Sequence, residues 1–220
     1  VTEVTNGIRH HLTDEILMAY SAGTLPEAFN LVVATHVSLC DECRARVGSF
    51  DAVGGAVLSD CDQAALAQDS FEATMRLIAA MPASDDRPRR AAASDIFPAP
   101  LQDYVGGDLS RVKWRNVGAG VRQSVLRTSK DASVRLLHIP PGVKIPDHGH
   151  RGLEMTLVLK GAFRDDLARF GRGDVEIANE DLEHTPVAED GEECICLAAT
   201  DAPLKFNALI PRIAQPFIGI

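Results

Sequence analysis

The 220-residue chain contains no run of about 18 apolar residues, so no transmembrane helix is expected. Its first residues, Val1-Thr2-Glu3-Val4-Thr5-Asn6-Gly7, lack a basic end followed by an apolar stretch. No secretion signal is therefore expected, and the chain is read as cytoplasmic with no membrane partner. Cysteine is scarce and odd in number: there are five, two of them in a Cys-x-x-Cys. That fits metal binding in a reducing compartment better than a disulfide framework. Aromatic residues make up 5%, and the single tryptophan, Trp114, is read as a core anchor. Cations are scarce in the first part. Residues 1–85 carry 12 acidic and 4 basic side chains, whereas residues 101–220 carry 17 and 15. The imbalance argues against direct binding of nucleic acid by the first part. An acidic module suits a basic protein partner, such as one that itself holds DNA. The plain alternative is a solvated surface kept soluble by its charge.

What is present is ordinary globular material, 45% hydrophobic and 24% charged, enough for one large domain or two small ones. Thr13 reads as an N-cap, followed by Asp14 and Glu15 in a first helical turn and apolar Ile16, Leu17 and Tyr20 at helical spacing. Gly23 closes that helix. Thr24-Leu25-Pro26-Glu27 reads as a capping box opening a second helix through His36. Asp41 can cap a third helix through Val47 and Phe50 to about Leu58, weakened near Gly54-Gly55. A fourth fits Ser70 to Met81, with Phe71, Met75 and Ile78 on one stripe. Residues 82–100, with four prolines and mixed charge, read as a linker that cannot build a core. From 101 the apolar period becomes two. Strands are expected near 112–117, 121–128, 133–139, 153–160, 174–178, 183–187, 193–198 and 204–208, a spacing that points to an antiparallel barrel or double-sheet jelly roll.

Two stretches carry chemistry. The first is His36-x3-Cys40-x2-Cys43. Positions 36 and 40 share one face of a helix, and Cys43 follows at or past its end, so three soft or borderline ligands converge as tetrahedral zinc requires. Three ligands do not close a structural site. The fourth is to be sought among His10, His11 and Cys61. His11 ranks first because it sits just before the first helix and can fold back onto the second; His10 ranks next. A closed site leaves no place for water, so this zinc is read as a staple for a small helical domain whose core alone is marginal. A redox role for Cys40 and Cys43 is the competing reading. The second stretch runs from Gly142 to Gly161. His148 and His150 face one side of a strand, and Glu154 follows with the same parity. Two imidazoles and a carboxylate inside a barrel suit zinc, iron, manganese or nickel. Cys194 and Cys196 share one face of a strand and read as core packing, and His138 reads as structural.

This second string resembles the first cupin motif, Gly-x5-His-x-His-x3-Glu-x6-Gly, at every fixed position: Gly142, His148, His150, Glu154 and Gly161. The resemblance implies a double-stranded β-barrel and a fourth ligand from a second motif, where His184 is the matching residue. The family's Pro-x-Gly falls here on Asn179-Glu180-Asp181. Together with His11-x24-His36-x3-Cys40-x2-Cys43, nearly the whole chain resembles the ChrR type of anti-sigma factor. That resemblance implies an α + β protein in two domains: a zinc-stapled helical bundle over 1–81 and a cupin-like sensor barrel over 101–220, joined by the linker over 82–100. It implies zinc on His11, His36, Cys40 and Cys43, and zinc or another divalent metal on His148, His150, Glu154 and His184. It also implies a non-enzymatic repressor that sequesters an extracytoplasmic-function-type sigma factor and releases it under singlet oxygen or organic hydroperoxide stress. The alternative is a metal-dependent cupin enzyme, a dioxygenase or isomerase, with a helical regulatory domain.

Overall fold

The computed structural model describes residues 7–82 and 96–203, and the backbone of 205–206. Helix α1 spans Asp14–Ser21, and Thr13 Oγ1 accepts from the Ile16 N–H at 3.4 Å as the capping pattern predicts. Gly23, at φ +67°, takes the left-handed position past its end, and the N–H groups of Gly23 and Thr24 bond back to Tyr20 O and Ala19 O. Helix α2 spans Glu27–Val37, but the expected capping box does not form: Pro26 is the N-cap, and Thr24 Oγ1 donates to Ala19 O instead. Glu27 is engaged elsewhere. Its carboxylate accepts from Tyr104 OH at 2.8 Å and from the Ser129 N–H at 2.7 Å, two distant donors that outweigh one local cap. Helix α3 spans Asp41–Ser59 and runs through Gly54 and Gly55 without a break. Asp41, expected as its cap, lies in the first turn; Cys40 is the N-cap, its Sγ accepting from the Cys43 N–H at 3.4 Å. Helix α4 spans Ser70–Ala80, and none of its residues is buried.

Residues 83–95 of the Pro-rich stretch lie outside the described residues. The end of that stretch is ordered structure rather than linker. Phe97 is fully buried, and helix α5 (Ala99–Val105) packs against α2. The folded barrel half therefore starts before Pro100, because Phe97 and Leu101 have an apolar face to cover.

Among the described residues twelve strands follow: β1 (Arg115–Gly118), β2 (Val121–Leu126), β3 (Ser133–Ile139), β4 (His148–Gly149), β5 (Glu154–Lys160), β6 (Ala162–Arg164), β7 (Arg169–Gly171), β8 (Val175–Ala178), β9 (Glu183–His184), β10 (Val187–Ala188), β11 (Cys194–Thr200) and β12 (Lys205–Phe206). One antiparallel sheet has the order β1-β2-β3-β11-β5-β8; two three-stranded sheets have the orders β10-β6-β7 and β12-β4-β9. The expected strand at 183–187 is split, because Pro186 cannot donate to a ladder. β9 pairs with β4, and β10 with β6. The strand expected to carry His148 and His150 is the short β4, and the β6–β7 hairpin, too short to show a period, is additional to the expected set. The expected strand at 204–208 is β12 where it is described; residues 207 and 208 lie outside.

Register decides what each face of the large sheet does. Leu136, Leu197, Leu157 and Val175 stand in one cross-strand row, and all four belong to the core cluster that also contains Phe29, Val32 and Val33 of α2. The helical part is therefore laid on the outer face of the barrel, and the two share one core. The neighbouring row, Arg135, Ala198, Thr156 and Glu176, faces inward with the polar residues. Helix α2 is apolar nearly all round because it is enclosed: α1, α3 and α5 contact it, and so do β3, β5 and β11.

Candidate metal centres

The first centre forms where α1 begins, α2 ends and α3 begins. His11, His36, Cys40 and Cys43 each present a ligand atom, and all four atoms lie within 4.8 Å of one another. His11 Nδ1 is 3.3 Å from Cys40 Sγ and 3.6 Å from Cys43 Sγ. Two such ligands on a tetrahedral zinc stand about 3.5 Å apart, so the spacing fits. Each histidine has a group from outside the cluster beside its second nitrogen, a hydrogen bond for His36 and a nearby exposed carboxylate for His11. His11 Nε2 is 3.4 Å from Glu42 Oε2, and His36 Nδ1 is 2.9 Å from Gly173 O. Such outer partners fix which nitrogen is free to ligate. His36 Nε2 is buried with no hydrogen-bond partner, an orphan atom aimed into the cluster. Burial holds the His36 imidazole down at about 4, and burial pushes the Cys43 thiol up to about 11. A neutral imidazole nitrogen at His36 and a buried Cys43 thiol that needs a cation to ionise, with Cys40 and His11 beside them, are the donor set of a structural zinc site.

The alternatives for the fourth ligand separate cleanly. His10 turns away, its ring 4.4 Å from that of Phe170, and Cys61 is exposed beyond α3. Of the three, His11 is the one whose ligand atom lies with those of His36, Cys40 and Cys43.

The second centre lies inside the barrel. His148 on β4 pairs in register with His184 on β9, and their Nε2 atoms are 3.2 Å apart. His148, His150 and His184 are all buried and present ligand atoms within 4.8 Å of one another. Glu154, on β5, stands outside that trio, with its Oε2 3.8 Å from His150 Nδ1 and its Oε1 accepting from Thr156 Oγ1. Both ring nitrogens of His150 are buried without a hydrogen-bond partner, so the donor set fits a divalent metal here too. Burial holds His148 and His150 near 4 and pushes Glu154 up to about 7.

Sequence reasoning missed the layer behind His184. Its Nδ1 lies 3.0 Å from Glu176 Oε1 and 3.5 Å from Asp165 Oδ2. Burial alone would lower His184, but the Glu176 hydrogen bond and charge outweigh it and raise the imidazole. Glu176 could have been found, since it sits mid-strand with inward parity in an otherwise apolar segment. Asp165 comes from a turn and carries no such signal. Cys194 and Cys196 are buried in the inner cluster, their sulfurs 3.5 Å apart. His138 lies between Trp114, at a ring distance of 5.7 Å, and Arg122, whose Nη2 is 2.9 Å from His138 Nε2.

Residues 102–203 match the family described as the ChrR cupin-like domain. The anti-sigma-E factor ChrR of Cereibacter sphaeroides is 58% identical over 214 residues, which is 97% of this chain and 99% of that protein. The crystal structure of Rhodobacter sphaeroides SigE in complex with the anti-sigma ChrR is similar with a TM-score of 0.77 at 58% identity. The match covers 89% of this chain and 100% of that one.

Proposed function

The chain belongs to the ChrR family of anti-sigma factors, and from that premise we propose that it sequesters a sigma factor of the extracytoplasmic-function type in the cytoplasm. The role is regulatory rather than enzymatic. Residues 1–81 are the sigma-binding part, and the barrel half, which takes in Phe97 and α5 as well as residues 101–220, is the sensor that decides release.

The observation that carries this reading is the bare apolar surface of the last helices. Phe71, Met75, Leu77 and Ile78 on α4 are 48 to 73% exposed, and Val57 and Leu58 at the end of α3 are exposed with them. The stripe seen in the sequence is real, but nothing in the described chain covers it. Apolar surface of this kind marks a protein interface. The surrounding acidic charge suits a basic, DNA-binding partner and speeds its approach.

His11, His36, Cys40 and Cys43 would hold a zinc ion. The bound ion would tie the start of α1 to the α2–α3 corner, contributing folding energy and leaving no open position for substrate. His148, His150 and His184, with Glu154 beside them, would hold a second divalent cation. Glu176 and Asp165 keep the His184 ring turned so that its Nε2 faces the cluster. The sensor is read as responding to singlet oxygen or organic hydroperoxides, as the family resemblance implies.

Transcription in vitro from a promoter dependent on such a sigma factor tests the reading. The full chain should abolish the transcript at equimolar sigma, and exposure of the complex to singlet oxygen or an organic hydroperoxide should restore it. Undiminished transcription with the chain in excess would refute sequestration. Continued repression after oxidant would refute the assigned signal alone.

A further inference from the structure

Five residues of the barrel, Gly171 to Val175, close around the polypeptide that carries the first metal centre. Gly173 O faces His36 Nδ1 at 2.9 Å. Asp174, buried, accepts through Oδ1 from the Arg9 N–H at 2.6 Å and the His10 N–H at 2.9 Å. Its Oδ2 accepts from the Gly171 N–H at 2.8 Å. The Val175 N–H donates to His10 O at 3.1 Å, so the first residue of β8 holds the backbone of His10 directly. His11 is the next residue. Gly173 sits at φ +91°, and a Cβ there would stand 2.6 Å from Ile8 Cδ1. The N-terminal segment thus packs onto the turn as closely as a glycine allows.

We propose that this turn is the outer shell of the first metal centre, so that the barrel positions two of its four ligands and zinc retention depends on the barrel. His36 is oriented directly by the Gly173 carbonyl. His11 is placed through its two preceding residues, which the Asp174 carboxylate and the Val175 amide fix in space. The remaining ligands, Cys40 and Cys43, are held by their own helix start. Two residues beyond Asp174, Glu176 bonds the Nδ1 of His184 at 3.0 Å. One short stretch of backbone therefore touches both candidate metal centres, and displacement of β8 acts on the helical part without passing through residues 83–95. Asp174 is a positioning residue, since it touches no ligand atom.

The inference rests on the zinc reading of the first centre, which the metal content of the wild-type chain decides separately. The test is metal release from the full-length protein substituted with cobalt(II). Thiolate-to-cobalt charge transfer belongs only to the centre that contains Cys40 and Cys43, so its decay under excess chelator reports that centre alone. Asp174→Asn keeps the side-chain size but sets an amide donor against either the Gly171 N–H or the Arg9 and His10 N–H groups. Gly173→Ala displaces Ile8 and strains the turn. Each should speed release about tenfold or more, the range in which outer-shell partners act. Asp201→Asn removes a similar bond, to the Leu153 N–H at 2.9 Å, on a part of the barrel that does not touch the cluster, and should leave the rate unchanged. Thermal melts of all three variants are recorded alongside. Wild-type release rates in both turn variants would overturn the proposal, as would equal acceleration by Asp201→Asn. A wild-type chain that shows no thiolate–cobalt band would instead overturn the zinc reading itself.

Discussion

At the scale of single residues, the first centre is a set of groups prepared for a cation. Burial keeps His36 near 4, so its imidazole is already neutral at physiological pH and releases no proton when metal binds. Cys43, pushed to about 11, is a thiol at the same pH and must give up its proton. Binding that releases a proton strengthens as pH rises. Zinc affinity at this centre should therefore climb by at least about tenfold per pH unit between pH 6.5 and 8, from Cys43 alone. Competition with a chelator of known affinity, repeated across that range, measures the slope. A flat profile would mean that Cys43 is already ionised or does not ligate. Much of this chemistry was legible beforehand, because ligand types and spacing are local properties: His36, Cys40 and Cys43 lie within one turn and its corner. The choice of His11 over His10 was not settled by spacing. It depends on residues far along the chain, since Asp174 and Phe170 draw His10 aside and leave His11 facing the sulfurs.

At the scale of elements, α4 is the piece that makes least sense alone. It has 11 residues, and none is buried. A free helix of that length is marginal in water, so its stability waits on a surface to cover. Each of Phe71, Leu77 and Ile78 would gain about 1.5–3 kcal/mol on full burial. Ile78→Glu should weaken sigma binding by at least about tenfold, since a carboxylate would have to be desolvated in an apolar contact. Its melting temperature should stay within a degree or two of the parent, because the position touches no core. Calorimetric titration and a thermal melt check both halves of the claim. A lower melting temperature with unchanged affinity would make α4 a packing element instead. The stripe itself was readable from the helical period, and its exposure was not, because periodicity identifies an apolar face without saying what covers it. The same gap explains Thr24–Glu27. A local motif fits the capping box, yet Tyr104 and Ser129, brought near only by the fold, take the Glu27 carboxylate.

At the scale of the molecule, the Pro-rich stretch suggests two separate bodies on a tether, and the packing of the described residues is different. The outer face of the large sheet, with Leu136, Leu157 and Leu197, lies in the same core cluster as Phe29, Val32 and Val33 of α2. Pulling the halves apart would expose both surfaces, at about 25 cal/mol for each Å² of apolar area returned to water. The Asp174 and Gly173 contacts would be lost as well. The barrel keeps an inner cluster of its own around Val158, Phe163 and Cys196, but the larger cluster is shared with α2, so the two halves should unfold together. The chain carries a natural pair of probes for this. Trp114 is the single tryptophan and belongs to the barrel half, packed against His138, while a cobalt ion on Cys40 and Cys43 reports the helical half. Coincident transitions by independent probes are the mark of one cooperative unit. Tryptophan fluorescence and thiolate–cobalt absorbance should lose their native signals at the same temperature, and Val32→Asp, which places a charge in the shared core, should lower both midpoints together. If the cobalt signal melted well below the tryptophan signal, and Val32→Asp shifted only the former, the helical part would be an independent domain and release would need a tether rather than a shared face.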